Sequence, residues 1–382
     1  MSSELLETLK GLNFNLCIQC GTCSASCPVL MNARSPLNVR LLMIKVAYFF
    51  RKVPRVDLKQ HNEVWDCTTC SNCSVRCPRN AGPLDVILGI RSILLEEGLV
   101  PKNIGKMLEA VYKYGNAWGV MGDRASWARD LNVRIAPEKV DGGMLYFVGC
   151  ASSYDDRAKN IARAIAKVLN SLGERFFILG REEKCCGNEA YSAGERGLFE
   201  ELVNMNLETF ERYNVEKIIT GCPHGFNIFK KKYGKVSFEP IHYTTYLANL
   251  IDSGKLKFSK RMEKIITYHD SCYLGKHNSI YDEPRKILES MPGVKFVEMS
   301  RSRKMSICCE GGGGRMWHDI GGSRLSELRV RDALESGAEI IATACPFCLA
   351  TIEDSIKTLG LEDKLVAKDI MEIVLECGPY LG

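Results

Sequence analysis

Four groups of cysteine dominate the chemistry open to this sequence. Two share one spacing: "CIQCGTCSASCP" places Cys17, Cys20, Cys23 and Cys27, and "CTTCSNCSVRCP" repeats them 50 positions later as Cys67, Cys70, Cys73 and Cys77. The other two lie further on, as Cys150, Cys185, Cys186 and Cys222, then Cys272, Cys308, Cys309, Cys345 and Cys348. Of 18 cysteines only Cys377 stands outside a group. Grouped thiolates are soft ligands and select zinc or iron–sulfur chemistry over metals that prefer hard oxygen. The opening "MSSELLETLKGLNF" carries acids and no continuous apolar core, so no secretory leader is expected. Reduced thiols in a cytoplasmic setting are therefore expected rather than disulfides.

The repeated C-x2-C-x2-C-x3-C-P run is the pattern of bacterial ferredoxins, in which three close thiolates hold one cluster and the fourth reaches its neighbour. That logic crosses the motifs. Cys17, Cys20, Cys23 and Cys77 are expected to hold one [4Fe–4S] cubane, and Cys67, Cys70, Cys73 and Cys27 the other. Zinc fits less well, because four-cysteine zinc sites come as two C-x2-4-C pairs. The segments after the motifs, "PLNVRLLMIKVAYFFRK" and "PLDVILGIRSILLEEGL", read as helices with Pro near the first turn. An α-helical ferredoxin domain over residues 1–100 is expected. Within it, "LLMIKVAYFF" is too short to span a bilayer and contains Lys45, so it reads as a buried helix or a docking helix for a membrane partner.

A connector is expected over 101–143, with Trp118 and Trp127 pinning it to a neighbouring domain. Beyond it the chain duplicates itself. "MLYFVGCASS" pairs with "KIITYHDSCYLG", "EEKCCGNEAYSAG" with "MSICCEGGGGRMW", and "EKIITGCPHG" with "AEIIATACPFC". Strands alternating with helices predict two α/β domains with mainly parallel sheets, over 144–258 and 259–382. Cysteines at strand ends would converge on the carboxyl edges of those sheets. The fold class is thus α followed by duplicated α/β. The copies differ at one place: Gly225 stands where the second copy has Cys348.

A cysteine, a distant Cys-Cys pair and a final Cys-x-x-Cys, used twice, resembles the cysteine-rich CCG domains of the B-type subunit of heterodisulfide reductase. The twin-motif unit resembles the C-type subunit. The fusion resembles the D-type subunit of the membrane-linked heterodisulfide reductases and the iron–sulfur proteins that accompany lactate, glycolate, glycerol-3-phosphate and acyl-CoA dehydrogenases. The resemblance implies a noncubane [4Fe–4S] cluster at Cys272, Cys308, Cys309, Cys345 and Cys348. Glu310 replaces the usual Gly after the pair, and Gly311–Gly314 follow; these glycines are expected to let backbone N–H groups approach cluster sulfurs. The first copy keeps Cys150, Cys185, Cys186 and Cys222. Those four are open to a further cluster, to structural zinc, or to no metal at all.

Other residues invite roles. His269, beside Cys272, reads either as a histidine hydrogen-bonded near a strand end or as a proton donor to a leaving thiolate. His224 and His242 read as packed histidines, while Lys276, His277 and Arg315 are candidates to face an anionic substrate. The 382 residues carry a net charge of +5 and no basic stripe interleaved with aromatics, and "KKKYGK" reads as a solvated helix end, so nucleic-acid binding is not expected. No G-x-G-x-x-G follows a strand, so hydride chemistry must come from a partner. Two functions fit. One is an electron conduit between a flavin dehydrogenase or electron-transferring flavoprotein and a membrane cytochrome or quinone partner. The other is disulfide reduction at the noncubane cluster. The missing fifth cysteine favours the conduit.

Overall fold

The computed structural model describes residues 3–32, 35–136 and 143–382. Before Arg134 the described residues form helices and no strand. Helix Val39–Phe50 buries Leu42, Met43 and Val46 on one face and leaves Leu41 and Tyr48 exposed. Helix Pro83–Glu96 starts where Gly82 turns the chain at φ +61°, with Pro83 in a first turn that needs no N–H. Every residue from Val86 to Leu94 is buried. A helix apolar on all sides belongs inside a molecule, and this one is the spine between the cysteine loops and the domains that follow. Among the described residues no helix is long and apolar enough to cross a membrane.

The connector is more ordered than its glycines suggest. Lys102–Tyr114 is a helix closed by Gly115 at φ +67°. Trp118 packs on Trp317 and Phe347 of the second copy, at ring distances of 5.6 and 5.7 Å. Trp127 packs on Tyr146 of the first, at 6.1 Å. Residues 137–142 of the expected connector lie outside the described residues.

Strands β1 (Arg134–Ile135), β2 (Gly143–Phe147), β3 (Phe176–Ile178), β4 (Val215–Thr220) and β5 (Glu239–His242) form a parallel sheet in the order β1–β3–β2–β4–β5. After β6 (Leu256–Phe258), strands β7 (Lys264–Tyr268), β8 (Val294–Phe296), β9 (Ile340–Thr343) and β10 (Val366–Asp369) form a second parallel sheet, ordered β8–β7–β9–β10. Apart from the edge strand β1, which the connector supplies, the two orders are the same. Met144–Phe147 and Ile340–Thr343 are buried without a break, as strands covered by helices on both faces must be. The halves are fastened together. β11 (Pro379–Leu381) returns antiparallel to β6, Tyr243 donates to Asp369 at 2.7 Å, and Arg157 pairs with Glu353 and Glu372 at 2.6 and 2.7 Å.

Candidate iron–sulfur centre

Each ferredoxin-type loop converges its thiols by turning twice through positive φ. Gln19 (+58°) and Gly21 (+80°) do this in the first motif, and Thr69 (+53°) and Ser71 (+61°) in the second. Such turns aim backbone N–H groups inward and make a concavity for an anionic cluster. The Thr69 and Ala81 N–H groups accordingly donate to Cys67 and Cys77 Sγ at 3.4 and 3.3 Å. Cys17, Cys20, Cys23 and Cys77 line one recess of about 350 Å³. Cys27 lies instead with Cys67, Cys70 and Cys73, each thiolate disfavouring its neighbours. Burial drives Cys27 up to about 12 and Cys67 up to about 11, with the Arg91 charge acting against burial at Cys67. The outer set is the solvent port, because Cys20 is exposed; all of Cys27, Cys67, Cys70 and Cys73 are buried.

In the α/β halves, Cys150, Cys222, Cys272 and Cys345 all follow the carboxyl ends of central strands, β2, β4, β7 and β9. Pro223 and Pro346 then open helices in which Gly225 and Cys348 occupy matching positions. All five second-copy cysteines are buried. Cys309 and Cys348 Sγ stand 3.2 Å apart. Hydrogen bonds from Cys308 and then Cys348 hold Cys309 well below the ordinary thiol range, against its burial. At Cys345 burial also opposes ionisation, yet the Cys348 thiol and the His224 charge outweigh it and bring the thiol down to about 6. Hydrogen bonds with neighbouring cysteines, then burial, push Cys272 and Cys348 well above the ordinary range, so the buried set mixes thiolate with thiol, and a bound metal would draw off the remaining protons.

This second-copy set touches the inner ferredoxin set. Cys70 and Cys308 lie close enough to raise the Cys70 thiol, and the Cys70 charge is felt at Cys272. The glycine run makes that approach possible at Gly312 and Gly313, while at its start the Gly311 N–H bonds Cys309, as expected of a run that serves the cysteine sulfurs. A Cβ on Gly312 would lie 2.9 Å from the Thr68 carbonyl oxygen, and one on Gly313 (φ +66°) 2.5 Å from that of Cys67. Arg91, fully buried in the spine helix, seals the junction. It donates to Val64 (3.0 and 2.9 Å), Trp65 (3.3 Å) and Cys67 (2.7 Å) of the ferredoxin domain, to Ser192 (2.7 Å) of the first copy and to Gly313 (3.0 Å) of the second. Every one of these partners is a backbone carbonyl. Nothing in "LGIRSILLEEG" distinguishes Arg91 from a surface charge, and sequence reasoning missed it.

His269 is placed at the cluster but not as an acid. Its nitrogens lie with Cys309 and Cys348 Sγ inside a 4.8 Å group. Arg329 Nε–H donates to its Nδ1 at 3.2 Å, so Nε2 carries the proton and faces the sulfurs. Burial, then the Arg329 charge, push the imidazole down to about 3. A ring held neutral has no labile proton to deliver near neutral pH, and Nε2 has no hydrogen-bond partner among the described residues, which argues against the proton-donor role. Lys276 and Arg315 are likewise internal rather than substrate-facing. Lys276 Nζ donates to the Ser306 carbonyl at 2.5 Å, and Arg315 pairs with Glu310. His277 bonds the Thr69 carbonyl at 2.9 Å and stacks on Tyr273 at 4.3 Å. His242 is buried and caps helix Tyr243–Asp252. His224, expected to be a packed residue, does pack against Phe347 and Tyr273 at 4.6 and 4.1 Å, but between the two copies' cysteines. Burial, the largest effect, lowers its basicity, but Glu189 at 3.7 Å together with the Cys345 and Cys308 charges raises it overall.

Cys150, Cys185, Cys186 and Cys222 line a recess of about 420 Å³ walled by Trp118, Phe147 and Phe347. Arg124, buried and paired with Glu183 at 2.8 Å, points its guanidinium at Cys150 Sγ, 3.5 Å away. Cys185 Sγ accepts from the Gly187 N–H at 3.4 Å, as Cys308 Sγ does from Glu310 at 3.3 Å. The cation and the shared N–H donor suit an anionic group at these thiols.

Known proteins agree with this arrangement. Residues 144–230 and 266–353 each match the cysteine-rich CCG domain, and residues 13–81 the 4Fe-4S dicluster domain. The D-type subunit of the dihydromethanophenazine:CoB–CoM heterodisulfide reductase of Methanosarcina barkeri is 32% identical, over 98% of this chain and 97% of its own. The chain belongs to the family of D-type heterodisulfide reductase subunits. As a D-type chain it is an iron–sulfur oxidoreductase subunit. It is also 38% identical to the probable iron–sulfur-binding oxidoreductase FadF of Bacillus subtilis, over 84% of this chain and 47% of that protein. The EtfAB:quinone oxidoreductase of Syntrophomonas wolfei is 33% identical, over 95% and 58%. The D-type chain spans about half the length of these last two relatives. Its fold is shared by a hypothetical protein of Helicobacter pylori, at TM-score 0.55 and 10% identity, covering 99% of this chain and 73% of that one.

Proposed function

We propose that this D-type chain carries electrons between a flavin dehydrogenase or electron-transferring flavoprotein and a quinone-reducing membrane partner. Cys17, Cys20, Cys23 and Cys77 would hold one cubane cluster and Cys67, Cys70, Cys73 and Cys27 the other, with a noncubane cluster at Cys272, Cys308, Cys309, Cys345 and Cys348. Cys150, Cys185, Cys186 and Cys222 would hold a fourth cluster. Bound there, these groups supply one-electron transfer. The observation that carries the reading is the closure of Gly312 and Gly313 on the Thr68 and Cys67 carbonyls, which sets the inner ferredoxin cysteines against those of the second copy. The protein's part is to fix that order of sites, expose one end at Cys20, and keep water from the rest. The relative named for electron-transferring flavoprotein and for quinone supports the choice of partners. A relative in Chromohalobacter salexigens named as a probable membrane-anchored ferredoxin supports a position at the cytoplasmic face of a membrane.

Disulfide reduction, the activity in the archaeal relatives' name, needs a proton source beside an open cluster. The buried second-copy set and the neutral His269 do not favour it. The test is to assay both reactions in the partner-bound complex. Cys70→Ser should abolish electron flow from reduced flavoprotein to quinone, while His269→Ala should leave it nearly intact. Disulfide turnover that His269→Ala slows by roughly 10²-fold or more would overturn the conduit.

A further inference from the structure

The two copies have exchanged a glycine. From Cys185 to Gly225 each residue of the first copy corresponds to the one 123 positions later: Cys185 to Cys308, Cys222 to Cys345, Gly225 to Cys348. In that register Glu189 corresponds to Gly312. The second copy has a cysteine at the fifth position and no side chain at the other, whereas the first has no side chain at the fifth position and a carboxylate at the other. We infer that Glu189 supplies the fifth ligand of the first-copy site, a carboxylate oxygen doing there what Cys348 does in the second copy.

The space permits it. A Cβ on Gly225 would sit 3.8 Å from Cys186 Sγ in a helical position without positive φ, so the gap left by the missing thiol opens beside the cysteine pair. Glu189 is buried and lines the same recess as Cys185, Cys186, Cys222 and Gly225. One carboxylate oxygen is accounted for: Oε1 accepts from Asn188 Nδ2 at 2.8 Å and faces His224 Nδ1, next to Gly225, at 3.7 Å. The other, Oε2, is buried with no hydrogen-bond partner among the described residues. A buried carboxylate oxygen without a partner is costly, and a metal in the recess removes that cost. Iron accepts carboxylate oxygen as well as thiolate. The second copy cannot use this device, because a side chain at Gly312 would strike the Thr68 carbonyl of the ferredoxin domain.

The inference rests on the reading of this set as an iron–sulfur site, and its test separates the two. The full chain would be purified anaerobically and its iron counted and examined by Mössbauer and electron paramagnetic resonance spectroscopy. Glu189→Gln should change the signature of one iron in the first-copy set and leave the other sets' signals in place. Gly225→Cys added to that variant should give an all-thiolate signature, a rescue that a merely structural partner of His224 would not show. If Glu189→Gln does not fold, Gly225→Cys alone should displace the oxygen ligand and give the same all-thiolate signal. Unchanged spectra in Glu189→Gln overturn the ligand. Anomalous scattering that places zinc, or no metal, at these cysteines overturns both the ligand and the reading beneath it.

Discussion

Replacing Arg91 by Met should lower the reduction potential of the inner ferredoxin-type cluster and loosen the junction of all three domains. The guanidinium is fully buried and reaches the Cys67 carbonyl at 2.7 Å. With its charge roughly 8 Å from the centre of a cluster held by Cys67, and an effective dielectric constant of about 20, the attraction is roughly 2 kcal/mol. For one electron that corresponds to a fall of roughly 90 mV. The same change leaves five carbonyls, of Val64, Trp65, Cys67, Ser192 and Gly313, without this donor. Stability should drop by at least about 1–3 kcal/mol, the cost of leaving one buried acceptor without its donor. Arg91→Lys keeps the charge and loses the planar fork, so it should destabilise while holding most of the potential. The assay is a redox titration followed by electron paramagnetic resonance, with thermal unfolding under anaerobic conditions. A potential that stays put in Arg91→Met, or falls equally in Arg91→Lys, would refute the electrostatic argument.

Two further outcomes follow from the packing. Gly313→Ala forces a Cβ to 2.5 Å from the Cys67 carbonyl at φ +66°; it should cost about 2–4 kcal/mol and make the inner cluster the first lost to chelators, with iron release as the readout. Asp369, buried under Tyr243, has its carboxyl pushed up to about 8, by burial above all. The folded state therefore holds that proton more tightly than the unfolded chain, and stability is greatest below about pH 4 and is lost as pH rises towards 8, by up to about 1.4 kcal/mol per unit. Asp369→Asn should flatten that window, and a thermal midpoint that falls between pH 5 and 8 as steeply as in the parent protein would count against it.

Much of the site was legible because thiolate spacing is a local signal. Three cysteines at three-residue intervals constrain one loop, and the crossing of Cys77 to the first motif, which the pattern demands, is the grouping around the outer recess. The two parallel sheets followed from duplication, since strands and helices alternate in both copies; their strand order did not. What the sequence could not convey was which surfaces meet. The Gly311–Gly314 run reads as a cradle for sulfur, which Gly311 is for Cys309; that Gly312 and Gly313 are also the thin place where backbone meets backbone shows only in the position of Thr68 and Cys67. His269 has the ordinary signature of an acid beside a ligand, yet the partner that fixes its tautomer, Arg329, lies 60 positions away. Lys276 and Arg315 look like substrate-facing cations until their partners Ser306 and Glu310 bury them.

The closure of Gly312 and Gly313 over Thr68 and Cys67 sets an order of events for the maturing protein. The inner ferredoxin cysteines are made early, but the residues that roof them emerge more than 200 positions later. Until then the loop from Cys67 to Cys73 lacks its cover and is open to an iron–sulfur donor. Afterwards Cys27, Cys67, Cys70 and Cys73 are all buried and Arg91 ties the junction from three sides. On the proposed reading, a cluster at that site would be loaded before the second copy docks. A cluster destroyed there later can be rebuilt only after the domains part, so damage by oxygen would be repaired most readily at the outer set, where Cys20 remains exposed.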